Sequence, residues 1–229
     1  QADDGEFSRK IDSQDEDIGS REVIRNAREL VWYPSEVDTS IRTGWFYHPE
    51  EDTDVRTAAE LLDIYLDAVG ANASLLLNIP PDTHGRIAAP DCASLAELGA
   101  KIRQIFASNV TEKAAIAADS AIAQHPITQA VDGMADTYWQ AAYGQESDTI
   151  TLKFQKPQKV SCVVLGEHLP TGQRIESGEI WADGSKASEF TVVGHKRICR
   201  FAPVDVLTLT IKITASRTEP TLRLLEVYQ

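Results

Sequence analysis

Within the seventeen residues Trp32-Tyr33-Pro34-Ser35-Glu36-Val37-Asp38-Thr39-Ser40-Ile41-Arg42-Thr43-Gly44-Trp45-Phe46-Tyr47-His48 the chain sets two carboxylates, an arginine, a histidine and a group of aromatic rings. Flat apolar rings interspersed with carboxylates and hydrogen-bond donors suit a sugar. The rings cover its C–H faces while the polar groups read its hydroxyls. The competing reading is a core strand whose Trp and Tyr fill volume. Such a strand would have to find partners for Glu36, Asp38, Arg42 and His48, because each buried polar group left unmet is costly. The density of unlike functional groups favours a binding surface.

The surrounding elements define where that surface can act. Residues 1–18 are acidic and aperiodic and read as an exposed loop. Ser20 resembles an N-cap, with Val23, Ile24, Ala27 and Leu30 on one face, so a short helix is expected over 21–29. Leu30-Val31-Trp32-Tyr33 reads as a buried strand ended by Pro34, and 44–47 as a second. Thr57 to Val69 repeats with a 3.6 period, and Gly70 follows as a C-cap. Residues 74–79 form a continuous apolar run, the pattern of a strand buried on both faces. A rigid loop from Pro80 to Gly85 leads into a helix over 93–106, with Leu95, Leu98, Ile102 and Ile105 inward. Strands alternating with helices predict an α/β layer with polar groups at the C-terminal strand ends, where a (β/α) barrel places its active site. Three strands cannot close a barrel of eight. Residues 1–107 therefore read as the incomplete C-terminal part of one.

From Ser108 onward short strands alternate with Gly, Pro and Asp turns, at 149–154, 160–167, 175–181, 190–200 and 207–213. Period-two patterning in Thr208-Leu209-Thr210-Ile211-Lys212-Ile213 predicts an antiparallel β-sandwich over 108–229. The expected fold is thus α/β followed by all-β.

Composition narrows the partners. The chain has 229 residues and a net charge of −13, which disfavours nucleic acid and an anionic membrane surface. Its charge is uneven, with 21 acidic against 10 basic residues in 1–107 and 14 against 12 in 108–229. The three cysteines lack CxxC spacing, so no zinc or redox motif is indicated. A Cys162–Cys199 bridge and buried free thiols are both compatible with their β-like surroundings.

Trp32–His48, followed by Ala68-Val69-Gly70-Ala71-Asn72 and Leu75-Leu76-Leu77-Asn78-Ile79-Pro80-Pro81-Asp82, resembles the closing part of the retaining α-L-fucosidases. The likeness leans to the branch acting on α-1,3/1,4-linked fucose and covers roughly residues 20–106. In the second half, Ala130-Val131-Asp132-Gly133, Thr137-Tyr138-Trp139, Asp148-Thr149-Ile150-Thr151-Leu152 and Leu225-Glu226-Val227-Tyr228 resemble a discoidin-type, galactose-binding-like sandwich shared with many carbohydrate-binding modules. The family's nucleophile, an aspartate in a Trp-Phe-Asp motif on an earlier strand, has no match here. The resemblance therefore implies the C-terminal portion of a secreted or periplasmic exo-fucosidase, partnered by its own missing N-terminal part and by a fucosylated glycan. No membrane or nucleic-acid partner and no catalytic cofactor is implied. A non-catalytic glycan-binding protein using the sandwich is the alternative, with a structural adhesion module behind it.

Retaining glycosidases need a nucleophile and an acid/base, both carboxyl groups. Glu36, read as lying two residues past a strand end beside Trp32 and Trp45, is the acid/base candidate, since an apolar surround favours its protonated form. Its competing role is an ion pair with Arg42, and Glu16 and Glu22 are rivals. Arg42 could clamp Asp38 or Glu36 or donate to a sugar hydroxyl. Asp38 is grouped with it at the substrate, Trp45 could stack on the sugar or pack inside, and His48 could bond the sugar or cap the acidic turn after it. In the sandwich, Asp132, Asp136, Thr137 and Glu226 could supply oxygens for one structural Ca²⁺, an ion the resembled modules often carry near this loop. An ordinary Asp-Gly turn is the other explanation.

Overall fold

The computed structural model describes residues 2–3, 21, 25, 28–30 and 35–229. Two short strands, Ala2–Asp3 (β1) and Glu29–Leu30 (β2), pair antiparallel. The expected helix over 21–29 and strand over 30–33 fall mostly outside the described residues, as do Trp32, Glu16 and Glu22.

The α/β part runs Glu36–Ser40 (β3), Ala58–Val69 (α1), Ser74–Asn78 (β4) and Ala89–Ile105 (α2). β3 and β4 pair in parallel, from Glu36 opposite Ser74 to Ser40 opposite Asn78, and α1 supplies the crossover that parallel pairing requires. Thr57 starts α1 with a capping box: its side chain accepts the Glu60 N–H, and Glu60 accepts the Thr57 N–H. The pleat sorts the side chains. Val37 packs with Leu75, Ile64 and Ala68, and Ile41 with Leu61, Leu77 and Leu98, so this face carries the helices. Glu36, Asp38, Ser74 and Leu76 point the other way and are exposed.

Glu36–Ser40 is a strand that the sequence reading did not assign, and its Glu-Val-Asp-Thr-Ser alternation is that of a strand covered on one face only. Residues 44–47 are not a strand. The Gly44 carbonyl accepts from Ser40 Oγ at 2.9 Å and the Trp45 carbonyl from Asn78 Nδ2 at 2.9 Å, which takes these groups away from ladder pairing. α2 begins four residues before the expected start, with Pro90 in its first turn, where a missing N–H costs nothing.

The β-rich part contains Ala114–Ala118 (β5), Trp139–Gln140 (β6), Asp148–Gly166 (β7), Ile175–Ala182 (β8), Ser185–Phe190 (β9), Arg197–Ser216 (β10), Thr221–Leu222 (β11) and Leu224–Tyr228 (β12). Its main sheet is antiparallel, in the order β12-β7-β10-β8-β9, with β5 added to the first half of β7. β7 and β10 run side by side for most of their length, with register shifts between Arg200 and Val204 and between Val206 and Thr208. Both ends of this long pair feed one apolar core, which includes Ile150, Leu152, Val163, Leu165, Leu209 and Ile211. Trp139 is fully buried there, its Nε1–H donating to the Ser120 carbonyl at 3.0 Å. The strands expected at 149–154 and 160–167 are thus one continuous strand, and the one expected over 190–200 is broken after Phe190 by a turn through Gly194.

The two parts are packed together. The Ile198 N–H donates to the Gly70 carbonyl at 3.2 Å, the Lys196 N–H to Asn72 Oδ1 at 2.9 Å, and Phe106 meets Tyr228 edge-on with centroids 5.2 Å apart. A Cβ on Gly70 would lie 2.2 Å from the Leu66 carbonyl oxygen of its own helix and 3.0 Å from Ile198 Cβ across the junction, so glycine is required here. Cys162 and Cys199 are free thiols. They lie on paired strands, but Cys199 faces Val163 in register while Cys162 faces Arg200, so their side chains leave opposite faces of the sheet. Burial pushes the Cys162 thiol up to about 12. Among the described residues no helix is long and apolar enough to cross a membrane.

Glu167 is a buried carboxyl group that pins three segments, accepting N–H groups from Arg174 and Ile175 on Oε1 and from Gly194 on Oε2 at 2.7–2.9 Å. Burial outweighs those hydrogen bonds and raises its pKa to about 7. A raised folded-state value means that the folded chain keeps a proton the unfolded chain loses. Its contribution to stability is therefore present below about pH 4.5 and declines by roughly 3 kcal/mol as pH climbs to about 7. Carboxyl ¹³C NMR should show one glutamate titrating near neutrality, and a midpoint in the ordinary carboxylate range would refute this.

Candidate active site

A single loop, residues 41–56, sits on the C-terminal edge of the parallel pair. Its ends are stitched together: the Ile41 N–H donates to the Asn78 carbonyl at 3.0 Å, the Arg56 N–H to the Ile41 carbonyl at 2.9 Å and Arg56 Nε to the Ser40 carbonyl at 3.0 Å. Ser94 Oγ on α2 then holds the Arg56 carbonyl at 2.6 Å. The loop is closed at its base and free to present side chains at its tip.

Arg42 organises the interior. Its guanidinium donates from Nε to Asp91 Oδ2 at 3.1 Å, from Nη2 to Asp52 Oδ1 at 2.8 Å and from Nη1 to the His48 carbonyl at 3.3 Å. The Tyr47 ring lies 4.8 Å from it, a cation–π distance. Arg42 is 1% exposed and Asp91 fully buried. Burial opposes the guanidinium charge, but the hydrogen bonds to Asp52 and Asp91 more than offset it and hold the pKa above its ordinary value. Burial, and then the Asp52 carboxylate, raise the Tyr47 phenol.

The expected partners of Arg42 are therefore replaced. It binds neither Glu36 nor Asp38, because those side chains lie on the helix-free face of β3 while Arg42, past the strand end, turns toward α2. With its side chain sealed inside the loop it orients carboxylates rather than reaching out to a sugar hydroxyl. Asp38 lies in mid-strand opposite Leu76 and is exposed. Glu36 opens β3 instead of following a strand end. It is exposed, about 13 Å along the strand from Ser40 and the loop edge.

Trp45 and Phe46 form the tip, 48% and 74% exposed, with Asn78 fixing the Trp45 carbonyl from below. His48 is exposed beside them, Nδ1 standing 4.0 Å from Glu50 Oε1. The structure thus brings Trp45 and His48 onto one loop, with Arg42 as its internal anchor, and leaves Glu36 and Asp38 on the strand below. Asp52, Asp91 and Asn78 are the positioning residues that sequence reasoning missed or undervalued. The Pro90-Asp91 pair does carry a helix-start signal, but nothing local names Arg42 as its partner.

The calcium set does not assemble. Thr137 Oγ1 donates to both oxygens of Asp132 at 2.8–2.9 Å, and the Met134 N–H takes Asp132 Oδ1, which makes an Asx turn. Glu226 accepts from Tyr228 Oη on β12. Among the described residues no three His, Cys, Asp or Glu side chains come together to hold a metal, so Asp132, Asp136 and Glu226 do not fit one ion.

Residues 8–104 match the α-L-fucosidase family model. Across 86% of the chain, α-L-fucosidase 1 of Arabidopsis thaliana is 32% identical, and the match covers 41% of that protein. The solved structure of a glycoside hydrolase family 29 fucosidase from Ruminococcus gnavus, in complex with fucose, superposes with a TM-score of 0.81 at 27% identity, over 89% of this chain and 44% of that one. A family 29 member from a rumen bacterium gives a TM-score of 0.69 at 27% identity, over 89% of this chain and 34% of that one. The homologues of this chain are α-L-fucosidases. The chain spans less than half the length of these relatives.

Removing the Asp91 carboxylate would leave a sealed guanidinium short of a partner. Asp91→Ala is expected to lower unfolding free energy by about 3–5 kcal/mol, measured by urea denaturation, while the exposed Glu36→Ala should stay within about 0.5 kcal/mol. Equal effects from the two would contradict the anchoring role.

Proposed function

We propose that this chain is the C-terminal portion of an exo-acting, retaining α-L-fucosidase of the α-1,3/1,4 branch, secreted or periplasmic, that removes terminal fucose from glycans. One observation carries the reading: a parallel strand pair is covered by helices on one face only, with an aromatic-tipped loop locked onto its C-terminal edge. In a (β/α) barrel the helix-free face looks inward and the C-terminal edge carries the chemistry. Here that face shows Glu36, Asp38 and Leu76 without cover, as the last strands of a barrel would if the earlier ones lay upstream. The β-rich part is then the discoidin-like sandwich that follows the barrel, with 107/108 as the boundary. The relatives, longer than this chain and named as fucosidases, support the same assignment.

In this reading Trp45 covers the apolar face of a sugar, and His48 offers a ring nitrogen to a hydroxyl. The nucleophile comes from the missing strands, and retention needs it about 5–5.5 Å from an acid/base carboxyl. The position of β3 argues that the acid/base is not Glu36. Catalysis by two carboxyl groups and water calls for no organic cofactor.

The chain alone should leave an aryl α-L-fucoside intact, whereas a protein extended upstream through a Trp-Phe-Asp element should hydrolyse it. ¹H NMR of that reaction should show the α-anomer of fucose released first. Hydrolysis by the chain alone, or first release of the β-anomer, would overturn the reading. In the extended protein, Trp45→Ala should cost about 1–3 kcal/mol in kcat/KM through lost apolar cover. Glu36→Ala should show no azide rescue, and rescue would restore Glu36 as the acid/base.

A further inference from the structure

Three rings stack face to face in the β-rich part. Tyr138 lies between His125 and His168, with ring centroids 3.9 Å away on each side and planes tilted by 19° and 7°. The rings come from three segments: His125 follows β5, Tyr138 leads into β6, and His168 begins the turn after β7. Two of them share one support, because the Gln140 N–H donates to the His125 carbonyl at 3.1 Å, and His125 Nδ1 lies 3.1 Å from Gln129 Oε1. The third belongs to a turn with its own anchor. The Glu167 carboxyl accepts the Arg174, Ile175 and Gly194 N–H groups, and within the turn the Thr171 and Gly172 N–H groups donate to the His168 and Leu169 carbonyls. Residues 168–172 are thus a compact piece hung from Glu167, and the His168 ring joins it to Tyr138.

Acid acts on these two attachments in opposite ways. Stacked neutral rings attract, and one imidazolium over the phenol ring adds a cation–π attraction. A second imidazolium on the other face sets like charges across a single ring. The charged groups around it are Arg174 on the same turn, Arg223 just before β12 and Asp136 on the segment leading to Tyr138. Burial above all, then His125, Arg174 and Arg223, hold the His168 imidazole below the ordinary histidine value, while Asp136 alone pulls the other way. With a lowered folded-state value the unfolded chain takes up this proton more readily. The contribution of His168 to the fold is therefore complete above about pH 6.5 and is lost as pH falls further. Glu167 is the reverse case, its buried carboxyl being uncharged in acid, so the anchor holds best where the stack is weakest.

We propose that residues 168–172 form an acid-released flap: Tyr138, gripped by His125 and His168, clasps the flap shut at neutral pH, and protonation of both imidazoles lets it swing out about Glu167 while the β-rich core stays folded. Histidine clusters suit such a switch because their charge changes just below neutrality. The device stands independently of the function assigned to the 41–56 loop.

The test follows the full chain by NMR from neutral pH down to about two units below the ordinary histidine value of about 6.5. The Tyr138 ring protons, shielded on both faces, should start upfield and move toward ordinary tyrosine positions with the midpoint of His168. The Trp139 indole N–H, bonded to the Ser120 carbonyl inside the core, should stay in place. In His125→Phe, and separately in His168→Phe, an uncharged ring replaces one imidazole, and Tyr138 should remain upfield at the acid end. A Tyr138 ring that holds its position across the range in the parent chain would overturn the proposal. So would a shift retained by a variant that keeps the Trp139 resonance, or one that Trp139 shares at the same midpoint. The parent titration also decides without any variant, since a Tyr138 shift that tracks His125 alone refutes release by the second proton.

Discussion

Parallel strands are rarely stable unless both faces are covered, because every connection between them places a helix on one side and the other side must find its own cover. β3 and β4 meet half of that condition. α1 and α2 close one face with Val37, Ile41, Leu75 and Leu77, while Glu36, Asp38 and Leu76 remain uncovered on the other. Every functional feature of the α/β part follows from this asymmetry. It fixes which face looks into the proposed barrel and which edge carries the loop. It also explains why an exposed leucine sits in the middle of a strand.

The loop is rigid for a separate reason. A sealed guanidinium has to be neutralised, and Arg42 recruits Asp91 from α2, Asp52 from the loop and the His48 carbonyl to do so. A buried charge with several directional partners tolerates few arrangements. The cost of the buried charge becomes an advantage at the tip. Trp45 and Phe46 stay exposed, yet their backbone is fixed by groups that cannot move independently, and a flat ring held in place can meet a sugar with little loss of entropy.

The β-rich part answers to a different constraint. β7 and β10 pair for nearly their whole length, and the register shifts in β10 let one antiparallel pair serve both ends of a single core. Close approach at Gly70 and the Asn72 side chain dock that core against the end of α1, so the loop edge and the β-rich part form parts of one packed body.

Local pattern was enough to specify α1 from its 3.6 period and its Gly70 stop. It also gave β4 and the change from alternating strands and helices to a run of strands. All of these rest on periodicity or on neighbours in the chain. What tertiary structure decided rests on contacts between distant residues. Arg42 finds Asp91, forty-nine positions away, rather than the nearby Glu36 or Asp38. Glu36 is the first residue of β3, a strand defined by its distant partner β4. Cys162 and Cys199 look bridgeable until register places them on opposite faces of the sheet. Asp132, Asp136 and Glu226 are residue types suited to calcium, but among the described residues no three such side chains gather. A sequence lists which groups are present, but a charge pair, a ligand set or a disulfide depends on direction and distance, and those exist only once the strands have chosen their partners.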